Sequence, residues 1–294
     1  MWERAFHVGV DARVLAERHT GVAVYTRLLL KHMLLSRPES RLTLFSHRRI
    51  DPTVVESIGT PDQVSVRSLW CPSPMLIRPM WDHALLPMAA ARRDLDLFFS
   101  PLSVVPWFLD IPKVVTVHDL GFLRFPQIQP VKYRWYWQAA LRRSVRVADR
   151  IIGVSESTSQ DIIELLDGDP KRVKVVHEAV NPFFFEESER DEEFRLLNAL
   201  CLQSPFILTV GTVEPRKNYS AVLKAFNRVQ QQRPDVQLVI VGSPGWLSED
   251  IAYLIRRRRN VHWLDDADDG TLRVLYRNAA VFLFPSLYEG FGLP

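Results

Sequence analysis

Cysteine is scarce in this chain, with Cys71 and Cys201 alone among 294 residues. The two lie far apart and match no metal-binding or redox spacing, which argues against a site built from cysteine. Runs of 18 or more consecutive apolar residues are also lacking, so we expect no membrane-spanning helix. The N-terminal MWERAFHVGVDARV carries charges where a signal peptide needs apolar residues. These absences favour a reducing, cytoplasmic setting.

A strong charge excess is missing as well, since 37 basic and 34 acidic residues leave a net charge of +3. This balance is too mild to indicate a nucleic-acid partner. Basic residues do cluster locally, at Arg142, Arg143, Arg146 and Arg150 and again at Arg256–Arg259. Two interpretations stay open: these residues form solvated helix faces, or they make peripheral contact with the anionic inner face of a membrane.

Short β-branched runs alternate with segments of helical period through most of the chain, which predicts α/β architecture with parallel sheets. We predict two Rossmann-like, doubly wound domains. The strands are expected at Phe6–Asp11, Leu42–Ser46, Val64–Leu69, Leu97–Ser100, Val114–His118, Ile151–Val154 and Val173–His177, then at Phe206–Val210, Leu238–Val241, Val261–Leu264 and Val281–Pro285.

The segment Asn181–Glu193, NPFFFEESERDEE, combines a proline, an acidic run and a break in periodicity. These features are typical of a linker. We therefore expect a domain over residues 1–186 and a second over 187–294.

The first motif that indicates chemistry follows the predicted strand Phe206–Val210 and reads GTVEPRKN. Gly211 permits close backbone approach of a ligand, and Asn218 is a favourable N-cap for the next helix. Arg216 and Lys217 precede that helix, where free N–H groups and the helix dipole already attract anions. The motif predicts a diphosphate site, with a loop of two solvent-exposed bases as the alternative.

A second motif, PSLYEGFGLP, follows the strand predicted at Val281–Pro285. Glu289 at a strand's carboxyl end can accept hydrogen bonds from sugar hydroxyls. Gly290 and Gly292, on either side of Phe291, leave their amides open to phosphate or sugar oxygens. Ligands of open α/β sheets bind outside the carboxyl ends of the strands, so both motifs fall where a ligand is expected.

With these motifs the chain resembles a family 4 retaining glycosyltransferase of the GT-B fold. The matching segments span nearly the whole sequence, namely TGVAVYT from Thr20, TVHDL from Thr116, IIGVSES from Ile151, EPRKN from Glu214 and EGFGLP from Glu289. The resemblance implies two domains facing a cleft, with acceptor bound by the first and a nucleotide sugar bound by the second. It implies no metal and no cofactor other than the nucleotide-sugar co-substrate.

The resemblance also implies roles for single residues. Arg216 and Lys217 would hold the donor diphosphate, with Gly211, Gly290, Phe291 and Gly292 beside the donor. Glu289 would be the first acid of the family's E-x₇-E motif and would hydrogen-bond the transferred sugar. Gly21 would lie close to the donor phosphates, although Ala23 stands where many relatives carry a second glycine.

His118 ends a predicted apolar strand and is followed by Asp119. The resemblance places it in the catalytic cleft, where we expect contact with sugar or acceptor. A capped structural histidine is the alternative.

The family pattern also continues beyond Pro294, because the second glutamate of E-x₇-E would fall three residues further on. We therefore expect the second domain to be incomplete and donor binding by this chain to be weak. A truncated, catalytically inactive relative that serves as a binding or interaction module is the alternative function.

Other enzyme classes lack their motifs here. Asp94-Leu95-Asp96 and Asp167-Gly168-Asp169 sit where a metal-binding Asp-x-Asp would not be expected. Neither G-x-G-x-x-G nor G-x-S-x-G occurs after a strand. The favoured donor is GDP-mannose, with a UDP-sugar second, and the acceptor is a growing saccharide or lipid-linked sugar.

Overall fold

The computed structural model describes residues 5–17, 20–69, 79–126, 134–203, 205–246 and 248–294. It divides into two units, Met1–Arg124 with Lys132–Ala179, and Phe125–Val131 with Val180–Pro294. The main division therefore falls between Ala179 and Val180, whereas the sequence predicted it at residue 186. Cys201 is free and exposed, whereas Cys71 lies outside the described residues.

The first unit is built on a seven-stranded parallel sheet of order β3-β2-β1-β4-β5-β6-β7. Its strands are rich in valine, isoleucine and leucine, as expected of a sheet buried on both faces. They run β1 His7–Asp11, β2 Arg41–Ser46, β3 Val64–Ser68, β4 Leu97–Ser100, β5 Lys113–Val117, β6 Arg150–Gly153 and β7 Val173–Val175.

Helices connect these strands and cover the sheet. They are α1 Gly21–Ser36, α2 Pro52–Glu56, α3 Leu86–Ala91, α4 Gly121–Arg124, α5 Arg134–Val147 and α6 Glu156–Leu166, with a π-helical turn Trp81–Leu85 before α3. Side-chain caps fix two starts: Thr20 accepts a hydrogen bond from the Ala23 amide at 3.2 Å, and Ser155 accepts one from the Thr158 amide at 3.1 Å.

The second unit carries a four-stranded parallel sheet of order β10-β9-β8-β11. Its elements run α7 Arg190–Ala199, β8 Phe206–Val210, α8 Tyr219–Gln232, β9 Gln237–Val241, α9 Glu249–Arg256, β10 Val261–Leu264, α10 Asp269–Asn278 and β11 Val281–Phe282.

Strand β9 shows how this sheet is covered. Leu238 and Ile240 join the core beneath α8 and α9, whereas Val239 and Val241 join the core on the opposite face. Side chains that alternate between two apolar cores require a sheet buried on both faces.

The segment Asn181–Glu193 is more ordered than its composition predicted. Pro182–Phe185 forms a 3₁₀ turn. The acidic run supplies the first turn of α7, where negative charges interact favourably with the helix dipole. Glu193 is buried and accepts hydrogen bonds at 3.0 Å from both Arg277 and Asn278. The two units divide directly beside this stretch, between Ala179 and Val180, but its last residues belong to a helix and Glu193 has partners in the fold.

Within the described ranges, no helix combines the length and the apolar character needed to cross a bilayer.

Two glycines let the ends of β8 and β9 approach closely. Gly211 and Gly242 both have positive φ, 144° and 146°, and the Gly211 amide donates to the Val241 carbonyl at 2.8 Å. A Cβ at Gly242 would overlap the Gly211 carbonyl. Position 242 therefore needs glycine for both conformation and space.

We expect Gly242→Ala to lower the free energy of unfolding by about 2 kcal/mol, because it combines backbone strain with a steric overlap. Chemical denaturation followed by circular dichroism measures this change. Gly270→Ala is the matched control, since its Cβ would meet only Asp268 at 3.5 Å. Equal stability of the two variants would contradict the assignment.

Candidate functional site

The site in the second unit lies at the carboxyl ends of β8 and β11. After β8 the chain turns at Gly211 and forms a 3₁₀ turn, Pro215–Lys217, directly before α8. Proline fixes the first position of that turn, and Asn218 follows it in the left-handed conformation with φ 57°. The 3₁₀ turn presents Arg216 and Lys217 side by side.

Glu289, in the loop after β11, contacts both bases. Its two carboxylate oxygens accept hydrogen bonds at 2.6 Å, one from Arg216 Nη1 and the other from Lys217 Nζ. Glu214 accepts from the Nε of Arg216 at 2.9 Å and is itself buried. Three residues that the sequence predicted at the donor site thus form one charge cluster, and Glu214 joins them.

The electrostatics of this cluster favour the ionised carboxylate of Glu289. Burial alone would raise the pKa of Glu289, but the hydrogen bond and charge of Lys217, with Ser286 and Arg216, hold it below its ordinary value. The carboxylate therefore stays charged at neutral pH and neutralises much of the positive charge beside it.

The Lys217 side chain lies against Phe284 and Gly211. Its ammonium lies 4.7 Å from the centre of the Phe284 ring, a cation–π distance. A Cβ at Gly211 would come within 3.0 Å of Lys217 Cε. Glycine at 211 thus leaves room for the lysine to cross the loop.

Hydrogen bonds to backbone carbonyls join the two loops directly. The Leu287 amide donates to the Arg216 carbonyl at 2.9 Å, and Arg216 Nη1 donates to the Tyr288 carbonyl at 3.0 Å. Asn218 donates from Nδ2 to the Pro285 carbonyl at 3.2 Å and makes no side-chain cap to α8. Asn218 thus occupies the predicted N-cap position of α8, but its side chain tethers the neighbouring loop instead of capping the helix.

The remaining predicted donor contacts lie in two places. Gly290, Phe291 and Gly292 follow Glu289 in the same loop, where Gly292 has φ 93° and Phe291 is exposed. Gly21 begins α1 in the first unit, and a Cβ there would meet nothing within 4 Å. Their roles toward a donor stay predictions.

His118 directly follows β5 in the first unit, and both of its ring nitrogens have partners. Nε2 lies 3.0 Å from the Pro101 carbonyl and Nδ1 lies 2.9 Å from Glu178 Oε1. A carbonyl only accepts, so Nε2 carries a hydrogen. Tyr25 packs edge-on against the ring at 4.8 Å. The catalytic role of His118 stays a prediction, and Glu178 is its partner within the unit.

A second buried cluster lies at the end of β1. Arg13 binds Asp11 in bidentate fashion at 2.9 and 2.6 Å and Asp82 at 2.7 Å, and Tyr136 donates to Asp82 at 2.9 Å. Burial raises the pKa of Asp11 against the opposing effect of Arg13. Sequence reasoning missed this cluster and the part played by Glu214. In both, a carboxylate at the end of a strand or in the loop after it stands two residues before an arginine, a signal that the sequence does contain.

The cluster around Glu289 suits an anionic ligand that also carries hydroxyl groups. Two cations beside the turn that opens α8 can bind phosphate oxygens, while the adjoining carboxylate can accept from hydroxyls. Across the described part of the chain, no group of three or more His, Cys, Asp or Glu side chains is arranged to hold a metal ion.

Two family models match the chain. The model described as Glycosyltransferase Family 4 matches residues 19–183, and that described as Glycosyl transferases group 1 matches residues 191–294. The O-antigen chain mannosyltransferase B of Escherichia coli is 26% identical in an alignment 288 residues long, which covers 94% of this chain and 75% of the relative. The serotype-specific mannosyltransferase WbdA of Escherichia coli is 29% identical in an alignment 194 residues long, which covers 60% of this chain and 23% of that protein.

Solved structures share the fold. WaaG, a glycosyltransferase involved in lipopolysaccharide biosynthesis, superposes with a TM-score of 0.71 at 14% identity, covering 98% of this chain and 76% of that one. Anabaena HepE in complex with UDP-glucose gives a TM-score of 0.69 at 16% identity, covering 97% and 75%. The GT-B fold class predicted from the sequence is confirmed.

We expect Arg216→Ala to destabilise the second unit by about 3 kcal/mol, because it removes the guanidinium that neutralises the buried Glu214. Lys217→Ala should cost less, since Glu289 keeps its bond to Arg216. Urea denaturation of both variants measures the difference. Adding Glu214→Gln to Arg216→Ala should restore part of the loss, and absence of any restoration would contradict this pairing.

Proposed function

Because the chain belongs to glycosyltransferase family 4, we propose that it transfers a hexose from a nucleotide-diphosphate sugar to a saccharide or lipid-linked acceptor, with retention of anomeric configuration. The observation that carries this proposal is the meeting of Arg216, Lys217 and Glu289 at the carboxyl ends of β8 and β11. The reaction belongs to glycan or polysaccharide biosynthesis.

The two bases are suited to the donor diphosphate. Arg216 has a rigid planar fork for phosphate oxygens, and Lys217 supplies a compact positive charge beside it. As the bond from the sugar's anomeric carbon to the diphosphate breaks, negative charge grows on the leaving phosphate. Fixed cations at that point stabilise the transition state more than the ground state, and so raise the rate.

The acceptor hydroxyl attacks the face of the sugar from which the diphosphate departs and passes its proton to the departing phosphate oxygen, which gives retention. Glu289 accepts hydrogen bonds from hydroxyls of the transferred sugar, while Gly290, Phe291 and Gly292 border the donor. We assign the acceptor to the first unit and propose that His118 contacts the sugar or acceptor there. No metal or further cofactor enters this scheme, and the nucleotide sugar is the co-substrate.

Mannose from GDP-mannose is the favoured donor. The relatives of this chain include proteins named as O-antigen chain mannosyltransferases and a serotype-specific mannosyltransferase, and this supports mannose as the sugar. UDP-glucose is the second candidate, supported by the HepE structure that holds it.

We further propose that the chain works at the inner face of a membrane, held there by α5. Trp135, near the start of that helix, is 73% exposed, and Phe108 is 75% exposed beside Trp107, which packs against the same helix. Arg142, Arg143 and Arg146 are exposed further along α5. Exposed aromatic rings with nearby arginines match the chemistry of an anionic lipid surface.

The donor assignment predicts that Lys217→Ala weakens binding of GDP and GDP-mannose by at least about tenfold, the effect of losing one charge-assisted phosphate bond. Isothermal titration calorimetry measures this. Lys224→Ala on the exposed face of α8 is the matched control, because it removes the same charge from the same unit. Equal weakening in both variants, or binding of no nucleotide, would contradict the donor site. Nucleotide binding without sugar transfer to any acceptor would favour the binding-module alternative.

The membrane assignment predicts that replacing Arg142, Arg143 and Arg146 together by alanine reduces binding to vesicles rich in phosphatidylglycerol by at least tenfold. Vesicle co-sedimentation at two salt concentrations measures it. Replacing Arg256, Arg257 and Arg259 by alanine removes the same charge elsewhere and should change little. Equal losses in both triple variants would refute a specific role for α5.

A further inference from the structure

We propose that the Glu289 carboxylate occupies the diphosphate position of the nucleotide-free chain, and that a bound donor displaces it from Lys217 and gives it sugar hydroxyls instead. This inference rests on the proposed function of the same site. It adds a competition between an internal carboxylate and the nucleotide, which favours the intact donor over the spent nucleoside diphosphate.

The charge count of the cluster supports this competition. Two bases, Arg216 and Lys217, face two carboxylates, Glu214 and Glu289, so the formal charge is zero while all four stay together. A diphosphate group that enters an already neutral cluster adds uncompensated negative charge. Binding is therefore favoured only when one carboxylate gives up its contacts.

Glu289 is the carboxylate that can leave. Glu214 is 2% exposed and is contacted by both Nε and Nη2 of Arg216, so this ion pair is expected to remain intact. The side chain of Glu289 is 21% exposed and contacts each base through a single oxygen. Monodentate contacts at a partly exposed site exchange more readily than a buried pair.

Lys217 is the base that becomes available. Arg216 keeps Glu214 and the Tyr288 carbonyl when Glu289 departs. Within the described residues, the contacts of the Lys217 ammonium are the Glu289 carboxylate and the face of the Phe284 ring. Phe284 holds the ammonium in place without neutralising it, so a phosphate oxygen can take the position of the carboxylate oxygen.

The exchange requires only a side-chain movement. The Leu287 amide on the Arg216 carbonyl and the Asn218 amide on the Pro285 carbonyl tie the two loops together independently of the Glu289 carboxylate. The backbone that positions both bases can thus remain in place. The Glu289 carboxylate turns away from the two bases but stays beside the bound donor, where it accepts hydrogen bonds from the sugar hydroxyls.

The chemistry of the ligand decides how costly the displacement is. An intact nucleotide sugar offers the hydroxyls of its hexose to the displaced carboxylate, whereas a free nucleoside diphosphate has lost the hexose and leaves that charge to water. The carboxylate therefore opposes the product more than the substrate. Its return to Lys217 assists release of the spent nucleotide.

Glu289→Gln tests the competition, because glutamine keeps the shape and removes the charge. We expect the variant to bind GDP roughly 5- to 30-fold more tightly than the unchanged chain, the effect of releasing a contact of one or two kcal/mol. The affinity for GDP-mannose should rise less or fall, so the preference for donor over product shrinks. Calorimetric titration at pH 7.5, with UDP and UDP-glucose in parallel, gives these ratios.

Glu186→Gln is the matched control, since it removes the same charge from the exposed partner of Arg273 in the same unit. Its nucleotide affinities should stay within about twofold. If Glu289→Gln fails to fold by circular dichroism, Glu289→Asp is used instead, and its shorter side chain should also tighten GDP binding. Unchanged or weaker GDP binding by the folded variant, with normal binding by the unchanged chain, overturns the competition alone. Absence of nucleotide binding in every chain overturns the donor site and, with it, this inference.

Discussion

Arg216 is the residue on which the second unit's site depends. The edge of its guanidinium that carries Nε is bound by the buried Glu214. Its Nη1 donates to the Tyr288 carbonyl and to Glu289, in a loop over 70 positions further along the chain. The planar fork makes this arrangement directional, which a lysine could not reproduce. Its own carbonyl also receives the Leu287 amide. The loop after β8 and the loop after β11 are therefore held as one surface.

A similar arrangement of one arginine between two carboxylates occurs in the first unit, where it is more deeply buried. Arg13 follows Asp11 by two residues after β1, as Arg216 follows Glu214 after β8, and each arginine also binds a distant carboxylate. The side chains of Arg13 and Asp82 are 4% and 2% exposed, whereas Arg216 and Glu289 are 15% and 21% exposed. Burial makes the first cluster a fixed support. Partial exposure leaves the second able to exchange partners with a ligand.

Most of the fold could be predicted from the sequence because parallel strands in this chain are short apolar runs between clear breaks. Phe206–Val210, Val261–Leu264 and Leu97–Ser100 were predicted with the bounds that the structure has. The partners within Asn181–Glu193 were not predicted, because composition reports local polarity and not the groups that bind it. Glu193 looks solvated in sequence, yet it is the acceptor for two side chains of α10. The side-chain partner of Asn218 was missed for the same reason, since its amide donates to the Pro285 carbonyl in the loop after β11.

The sequence by itself determined the α/β architecture, the two units and the identities of the charged residues at the carboxyl ends of β8 and β11. Periodicity and local motifs suffice for these, because they depend on neighbours in the chain. Only the tertiary structure decided that Glu289 bonds to both Arg216 and Lys217, that Glu214 is buried beneath them, and that His118 already has Glu178 as a partner. The pairings of Glu289 and of His118 join residues from loops that follow different strands, and their distances follow from sheet order and register, which no local pattern encodes.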